Sequence, residues 1–254
     1  MMEITRVTDG DYARYEELLL QRDQLAKEAE EYQDEYTRTF GDLITEVFQK
    51  KIECIGLKKA ITYIQMKKSS GETVDPESLQ DYLDTHMTAY YEQLNELIAR
   101  RSFAEGGRPI SAFDVAEIKK IYRRLAKLLH PDISPLTADS PRLADLFQQV
   151  MTAYRCNDLQ RLQELELLVN RELGELGQDS AAVVIANVEE KITRLEEEIG
   201  EILTTEPYTY KNLLADAFAV EEKKKALEEE LASYTKYARE LQKLLESLAD
   251  QEEP

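Results

Sequence analysis

The residues best suited to chemistry in this chain are a histidine and an aspartate that flank a proline, in the order His130-Pro131-Asp132. An imidazole can act as a general base, but no evident nucleophile lies nearby, so the pattern does not favour catalysis. Proline stiffens the backbone, so the tip can present one imidazole and one carboxylate to a partner with little ordering cost. The tripeptide therefore indicates a protein-contact site. The alternative is that it only makes a tight helix stop.

A basic amphipathic helix precedes the tripeptide. Asp114 can cap the free backbone N–H groups at its start, and Glu117 three residues later completes a capping-box pattern. Pro131 ends the helix because the residue before a proline is pushed out of the helical region. The apolar positions recur at intervals of three and four, which places them on one face. They are Ile118, Ile121, Tyr122, Leu125, Leu128 and Leu129.

A second amphipathic helix follows a polar loop that runs from Ile133 to Ser140. Ser140 supplies the cap and Pro141 the first helical position, where the missing N–H of proline costs nothing. Two apolar stripes so close in sequence are expected to pack as an antiparallel pair, with the tripeptide at the exposed end. The second stripe consists of Leu143, Leu146 or Phe147, Val150, and Ala153 or Tyr154.

This arrangement resembles the J-domain (DnaJ-like) family of co-chaperones over residues 114 to 156. The run from Lys119 to Ala126 is similar to the family's helix II, and Phe147, Val150 and Ala153-Tyr154 have the spacing of its helix III. The resemblance implies contact with the ATPase domain of a DnaK-type (heat shock 70 class) chaperone near its interdomain linker, which speeds ATP hydrolysis. The residues expected to bind that partner are His130, Pro131, Asp132, Lys119, Lys120, Arg123, Arg124 and Lys127.

The chain departs from the family's pattern on both sides of this pair. The best match to the family's helix I starts at Tyr90 to Leu94, further upstream than usual. Arg101 to Phe113 would then form an enlarged connecting loop. Leu129 stands where tyrosine is common and Ile133 where lysine is common, and the basic signature of helix IV is missing.

The charge balance limits the classes of partner. The 254 residues include 51 acidic and 32 basic ones, a net charge of −19. Nucleic acid and anionic membrane surfaces are therefore disfavoured, because both require a positive field. The basic helix is an exception: its five lysines and arginines face only Glu117, a local charge of +4. Such a patch suits an acidic partner surface and would steer the encounter with it.

Other chemistry is weakly represented. Cys54 and Cys156 have no paired spacing, and no glycine-rich phosphate loop or calcium loop occurs, so we expect neither a metal nor a cofactor and no enzymatic activity. The N-terminus has no signal-peptide core, and the apolar runs are too short to cross a bilayer. These features predict a soluble, cytoplasmic protein.

Helical periodicity dominates the whole chain and predicts an all-α fold in three parts. Residues 1–74 are expected to form a long helical hairpin that bends at Gly41, and residues 75–176 a J-domain-like helical domain. Residues 177–254 are expected to form an antiparallel coiled-coil hairpin, because apolar residues recur by threes and fours from Ile185 to Ile202 and from Leu213 to Leu248.

The two predicted helices of this hairpin differ in length. The longer C-terminal one keeps an unpaired apolar stripe from about Leu231 to Leu248, which is costly in water. We therefore expect the N-terminal helix to pack along it, with Tyr32 and Tyr36 against Tyr234, within one chain or between two. The coiled coils are also expected to bind a client protein or to self-associate. The alternative function is a helical scaffold or adaptor with a purely structural J-like pair, and burial of the His-Pro-Asp tip would favour it.

Overall fold

The structure is a computed structural model that describes residues 9–105, 111–134, 137, 139–175 and 188–249. Within these ranges the chain forms eight helices and no strand, which confirms the predicted all-α class. None of these helices combines the length and the apolar character that a membrane span requires. In chain order they are α1 (Asp9–Ser69), α2 (Pro76–Glu105), α3 (Ala112–Leu129), α4 (Pro141–Arg155), α5 (Leu159–Glu175), α6 (Val188–Thr204), α7 (Tyr210–Leu214) and α8 (Ala217–Ala249).

The first helix is continuous, so the hairpin predicted for residues 1–74 is wrong. Gly41 lies inside α1, where a Cβ atom would come within 3.4 Å of Thr37 and 3.7 Å of Arg101 of α2. These are ordinary contact distances, so Gly41 sits in the helix beside α2 and does not mark a turn. One glycine costs a helix only about 1 kcal/mol, which the packing of a long helix readily offsets.

The chain divides into two compact units, and α1 contributes to both. The first unit contains α1 up to Glu30 together with α3, α4, α5 and α6. The second contains α1 from Glu31 onward with α2, α7 and α8. These groupings differ from the three predicted parts, because a single helix supplies packing surface to two separate cores.

In the first unit, α3 and α4 form the predicted pair and α5 completes a three-helix bundle. Ile118, Leu125, Leu143, Val150 and Leu162 are fully buried in their common core. Burying a side chain of this size contributes about 1.5–3 kcal/mol, so this core accounts for the stability of the pair. The Tyr122 and Tyr154 rings stack at 3.8 Å between centroids and join α3 to α4.

Local caps set where these helices begin. Ser111, and not the predicted Asp114, caps α3: its hydroxyl accepts the Asp114 backbone N–H at 3.1 Å and donates to the Asp114 carboxylate at 2.8 Å. The helix therefore begins three residues earlier than expected, and Asp114 takes the third helical position, where Glu117 was expected. The predicted Ser140-Pro141 start of α4 is confirmed, since the Leu143 N–H donates to the Ser140 hydroxyl.

A second apolar cluster in the first unit joins α1 to α6. Tyr15 and Leu19 of α1 pack with Ile133, which follows the tripeptide, and with the α6 stripe. That stripe consists of Val188, Ile192 and Leu195.

In the second unit, α8 packs on the later part of α1. Its proximal residues Leu227 and Leu231 lie with Phe40 and Val47, and its distal residues lie with Cys54 and Ile61. The Tyr36 ring stacks on Tyr210 at 4.2 Å. The distal residues of α8 in that cluster are Ala238, Leu241, Leu245 and Leu248.

Two expectations about the C-terminal region change as a result. The antiparallel hairpin of residues 177–254 is not confirmed, because the stripes of α6 and α8 each face α1 within their own unit. Tyr36 and Tyr234 do share a cluster, but the distal stripe of α8 is covered by residues 54–61 of α1 and not by the N-terminal seam. Continuation of α1 past Gly41 supplies that cover. Ile185 and the boundary at residues 176–177 lie outside the described residues.

Candidate functional site

The His-Pro-Asp tip is a tight turn at the end of α3. The His130 N–H makes the last helical hydrogen bond, to the Ala126 carbonyl at 2.8 Å, and the His130 backbone then turns extended. The His130 carbonyl accepts the N–H groups of Ile133 at 2.9 Å and Ser134 at 2.7 Å. Pro131 lacks an N–H, so it can follow the helix without leaving a donor unsatisfied. The tip is thus built by backbone hydrogen bonds that all converge on one residue.

The His130 side chain points into the protein. Its ring is only 7 % exposed and meets the Phe147 ring edge-on at 5.1 Å. The Asp132 N–H donates to His130 Nδ1 at 3.2 Å, so the neutral ring carries its proton on Nε2. Burial lowers the pKa of His130, against opposing contributions from Asp23 and Asp132. The imidazole therefore acts as a neutral internal brace of the tip.

The carboxylate of the tip faces outward. Pro131 is exposed, and the Asp132 side chain is half exposed at 3.9 Å from His130 Nδ1. Tyr15 of α1 lies within electrostatic reach of Asp132. Burial, and after it the charge of Asp132, raises the pKa of Tyr15 to about 12. Of the tripeptide, the proline and the carboxylate are therefore available to a partner, and the carboxylate is bordered by a neutral phenol.

A segment of α1, residues 15–30 and called the cover segment below, contacts α3 and α4 through a buried polar network. The Tyr122 hydroxyl donates to the Asp23 carboxylate, which also accepts from Arg22 at 2.7 Å. Lys27, 3 % exposed, donates to Asn157 and lies 4.2 Å from the centroid of the Tyr154 ring. Buried charges are tolerated only when they are paired in this way. The network therefore positions the cover segment in one register on the helix pair.

The basic residues predicted to bind a partner are distributed over four environments. Lys127 and Lys119 reach carboxylates of the cover segment, Glu16 and, at 3.9 Å, Glu28. The remaining three point elsewhere. Lys120 pairs with Glu117 on its own helix, Arg124 pairs with Glu166 of α5, and Arg123 is exposed with no ion pair to any residue that the structure describes.

The helix I expectation is wrong. Tyr90 to Leu94 lie in α2, in the second unit, and Tyr91 is 52 % exposed. The predicted loop from Arg101 is helical through Glu105, since Arg101 pairs with Asp42 and the Ala104 carbonyl accepts from Arg38. Residues 106–110 of that loop lie outside the described ranges.

The helix that does cover the J-like pair is α1, and sequence reasoning missed it. The available signal was the breadth of the apolar patch at Leu18, Leu19 and Leu20, which is wider than a single coiled-coil seam. Leu20 belongs to the core of the three-helix bundle, while Leu19 packs toward α6. In the described ranges no group of three or more His, Cys, Asp or Glu side chains is arranged to hold a metal ion.

Comparison with known families agrees with this geometry. The model of the DnaJ domain family matches residues 111–158, which contain α3, the tripeptide and α4. No curated protein and no solved structure shows significant similarity to the chain. The predicted resemblance over residues 114–156 is thus confirmed, and the match is confined to residues 111–158.

Proposed function

We propose, from the DnaJ domain at residues 111–158, that this protein is a non-enzymatic co-chaperone of a DnaK-type (heat shock 70 class) ATPase. It binds the chaperone through Asp132, Pro131 and the basic residues of α3, and it stimulates ATP hydrolysis. The observation that carries the proposal is the exposed carboxylate of Asp132, held on the proline turn that ends the basic helix α3. The helices outside the domain supply surfaces for a client or a partner.

The histidine has a different role from the aspartate in this proposal. His130 supports the turn from inside, through Nδ1 and its contact with Phe147. Asp132 makes the partner contact, because a half-exposed carboxylate can accept charge-assisted hydrogen bonds from a cationic group of the chaperone. Replacing the histidine therefore alters both function and stability, whereas replacing the aspartate alters function alone.

The test is single-turnover ATP hydrolysis by the host's DnaK-type chaperone with the full chain added. Wild type is expected to accelerate hydrolysis and Asp132→Asn to abolish the acceleration with an unchanged melting temperature. Asp139→Asn removes an exposed carboxylate seven residues away and is the matched control, expected to behave as wild type. Equal stimulation by Asp132→Asn and wild type would exclude the proposal.

Two observations favour the scaffold alternative: His130 is buried, and the cover segment contacts the domain. In that case the helix pair serves as a docking site for α1, and the tripeptide only ends α3. Absence of both binding and stimulation by wild type, together with loss of folding when the cover segment is disrupted, would select the scaffold.

A further inference from the structure

The cover segment lies antiparallel to α3, and its contacts follow the length of that helix. Tyr15 is near Asp132 at the tip, and Glu16 pairs with Lys127 one turn before it. Further along, Asp23 accepts from the Tyr122 hydroxyl, and Glu28 pairs with Lys119. Three of the eight residues expected to bind the chaperone therefore already interact with α1.

The chemistry of these contacts resembles that of the expected partner. A basic helix beside a proline turn favours an acidic protein surface. The cover segment offers carboxylates at Glu16, Asp23 and Glu28, spaced to reach the cations and the phenol of α3. An external acidic surface that used the same cations would compete with these carboxylates for them.

The contacts differ in kind along the segment. Lys27 and Asp23 are buried, and Leu20 is part of the bundle core, so the middle of the segment is held firmly. The outer ion pairs are only partly exposed, because the Lys127 and Lys119 side chains are 54 % and 40 % accessible but their partners Glu16 and Glu28 are 17 % and 29 % accessible. Pairs of this kind contribute modestly. Displacement near the tip breaks these pairs and also separates Tyr15 and Leu19 from Ile133, so it carries a cost that limits the access of a partner.

We propose that the cover segment is an intramolecular competitor that limits access of the chaperone to the DnaJ domain. This inference rests on the proposed function. With the cover segment in place, Lys119 and Lys127 are paired and Tyr15 borders the half-exposed Asp132, while the cations that point away from the segment remain accessible. With its tip-proximal part displaced, the full site is available. The apparent affinity for the chaperone is then the intrinsic affinity multiplied by the displaced fraction.

The first experiment displaces the cover segment by charge reversal. Glu16→Lys with Glu28→Lys places like charges against Lys127 and Lys119, while every residue of the proposed chaperone contact is kept. We expect up to about tenfold tighter binding of the host's DnaK-type chaperone, because two exposed ion pairs are replaced by repulsions. Glu17→Lys with Glu197→Lys makes the same change in net charge at exposed positions and is the matched control, expected to bind as wild type.

The second experiment fixes the cover segment in place. Glu16→Cys with Lys127→Cys, in a Cys156→Ser background, is joined by a short bismaleimide, and the same variant capped with a monofunctional maleimide is the reference. Both proteins lack Lys127, so their comparison isolates the covalent link. The linked protein is expected to lose most of the ATPase stimulation that the capped protein retains.

The outcomes distinguish this inference from the function on which it rests. Tighter binding by the reversed variant and loss of stimulation on linking support it. Equal stimulation by linked and capped protein, or equal binding by reversed and control variants, overturns the competitor and leaves the co-chaperone proposal intact. If neither wild type nor the charge-reversed variant binds or stimulates the chaperone, both proposals are overturned.

Discussion

The lysines of α3 that meet the cover segment and the cations that point away from it belong to one continuous basic patch in sequence. Lys119 and Lys127 pair with carboxylates of α1. Lys120 pairs with Glu117 of α3, Arg124 pairs with Glu166 of α5, and Arg123 forms no ion pair with any described residue. The same residue types on the same helix therefore differ in what a partner must displace. Local charge predicts attraction, but availability depends on the neighbouring helix.

The largest effect is expected where the contact with α1 is buried. Asp23→Ala leaves the Tyr122 hydroxyl without its carboxylate and removes a partner of Arg22, which should cost about 2–3 kcal/mol of stability. The matched control is Asp42→Ala in the second unit, which breaks an exposed pair with Arg101 and should cost no more than about 1 kcal/mol.

Urea denaturation measures the loss of stability in each variant, and amide hydrogen exchange shows which helices are destabilised. Faster exchange after Asp23→Ala is expected in α3, α4 and α5. A cost for Asp23→Ala no larger than that for Asp42→Ala would mean that the buried network does not hold the cover segment.

The outward cations should control the encounter with the chaperone. Reversing Arg123 and Arg124 to Glu removes steering charge, so association is expected to slow by roughly tenfold, with a much smaller change in dissociation. Raising the salt concentration should slow wild-type association in the same direction, since exposed charges are screened beyond about 8 Å at physiological ionic strength. Stopped-flow binding at several salt concentrations measures both, and association that ignores salt would contradict the prediction.

The difference between the lysines that pair with the cover segment and the cations that point away from it can also be tested through stability alone. Lys127→Glu places a carboxylate against Glu16 and should destabilise the first unit by about 1 kcal/mol. Arg123→Glu has no described ion pair to lose and should change stability by less than about 0.5 kcal/mol. Thermal melting of both variants checks the contrast, and equal shifts would show that the two sets of cations are not distinct.

The smallest effect is expected from acidification at the tip. Because burial lowers the pKa of His130 in the folded state below the ordinary value of 6.5, the unfolded chain binds the proton first as pH falls. Stability from the neutral imidazole is therefore present above pH 6.5 and is lost as pH falls below it. Comparing melting temperatures at pH 7.5 and 5.5 should show a smaller decrease for His130→Gln than for wild type. An equal decrease would place the titration elsewhere.

How far the sequence could be interpreted is clearest at α3 and α4. Their apolar spacing, the Ser140-Pro141 start and the proline stop are local signals, and the structure contains both helices in the predicted pair. The sequence pattern favoured Asp114 as the cap in place of Ser111, because Asp114 and Glu117 form an equally acceptable local pattern. Such errors concern one turn of helix and leave the pairing unchanged.

The errors at longer range have a different origin. Gly41 was interpreted as a bend because glycine permits turns, but it is also tolerated inside a helix where another helix approaches. The helix I match at Tyr90 rested on residue type, which does not specify distance in space. The partner of the N-terminal seam was assigned by matching lengths, and several amphipathic helices of this chain have similar periodicity.

The amino-acid sequence by itself determined the all-α class, the DnaJ-like helix pair and the proline turn, because spacing, caps and proline stereochemistry act within a few residues. Only the tertiary structure decided that α1 contacts the domain, that His130 faces inward while Asp132 faces outward, and which cations are engaged. Apolar stripes of equal period do not encode their partners. The choice is made by buried polar contacts such as those of Asp23 with Tyr122 and Lys27 with Asn157, which form in one register only.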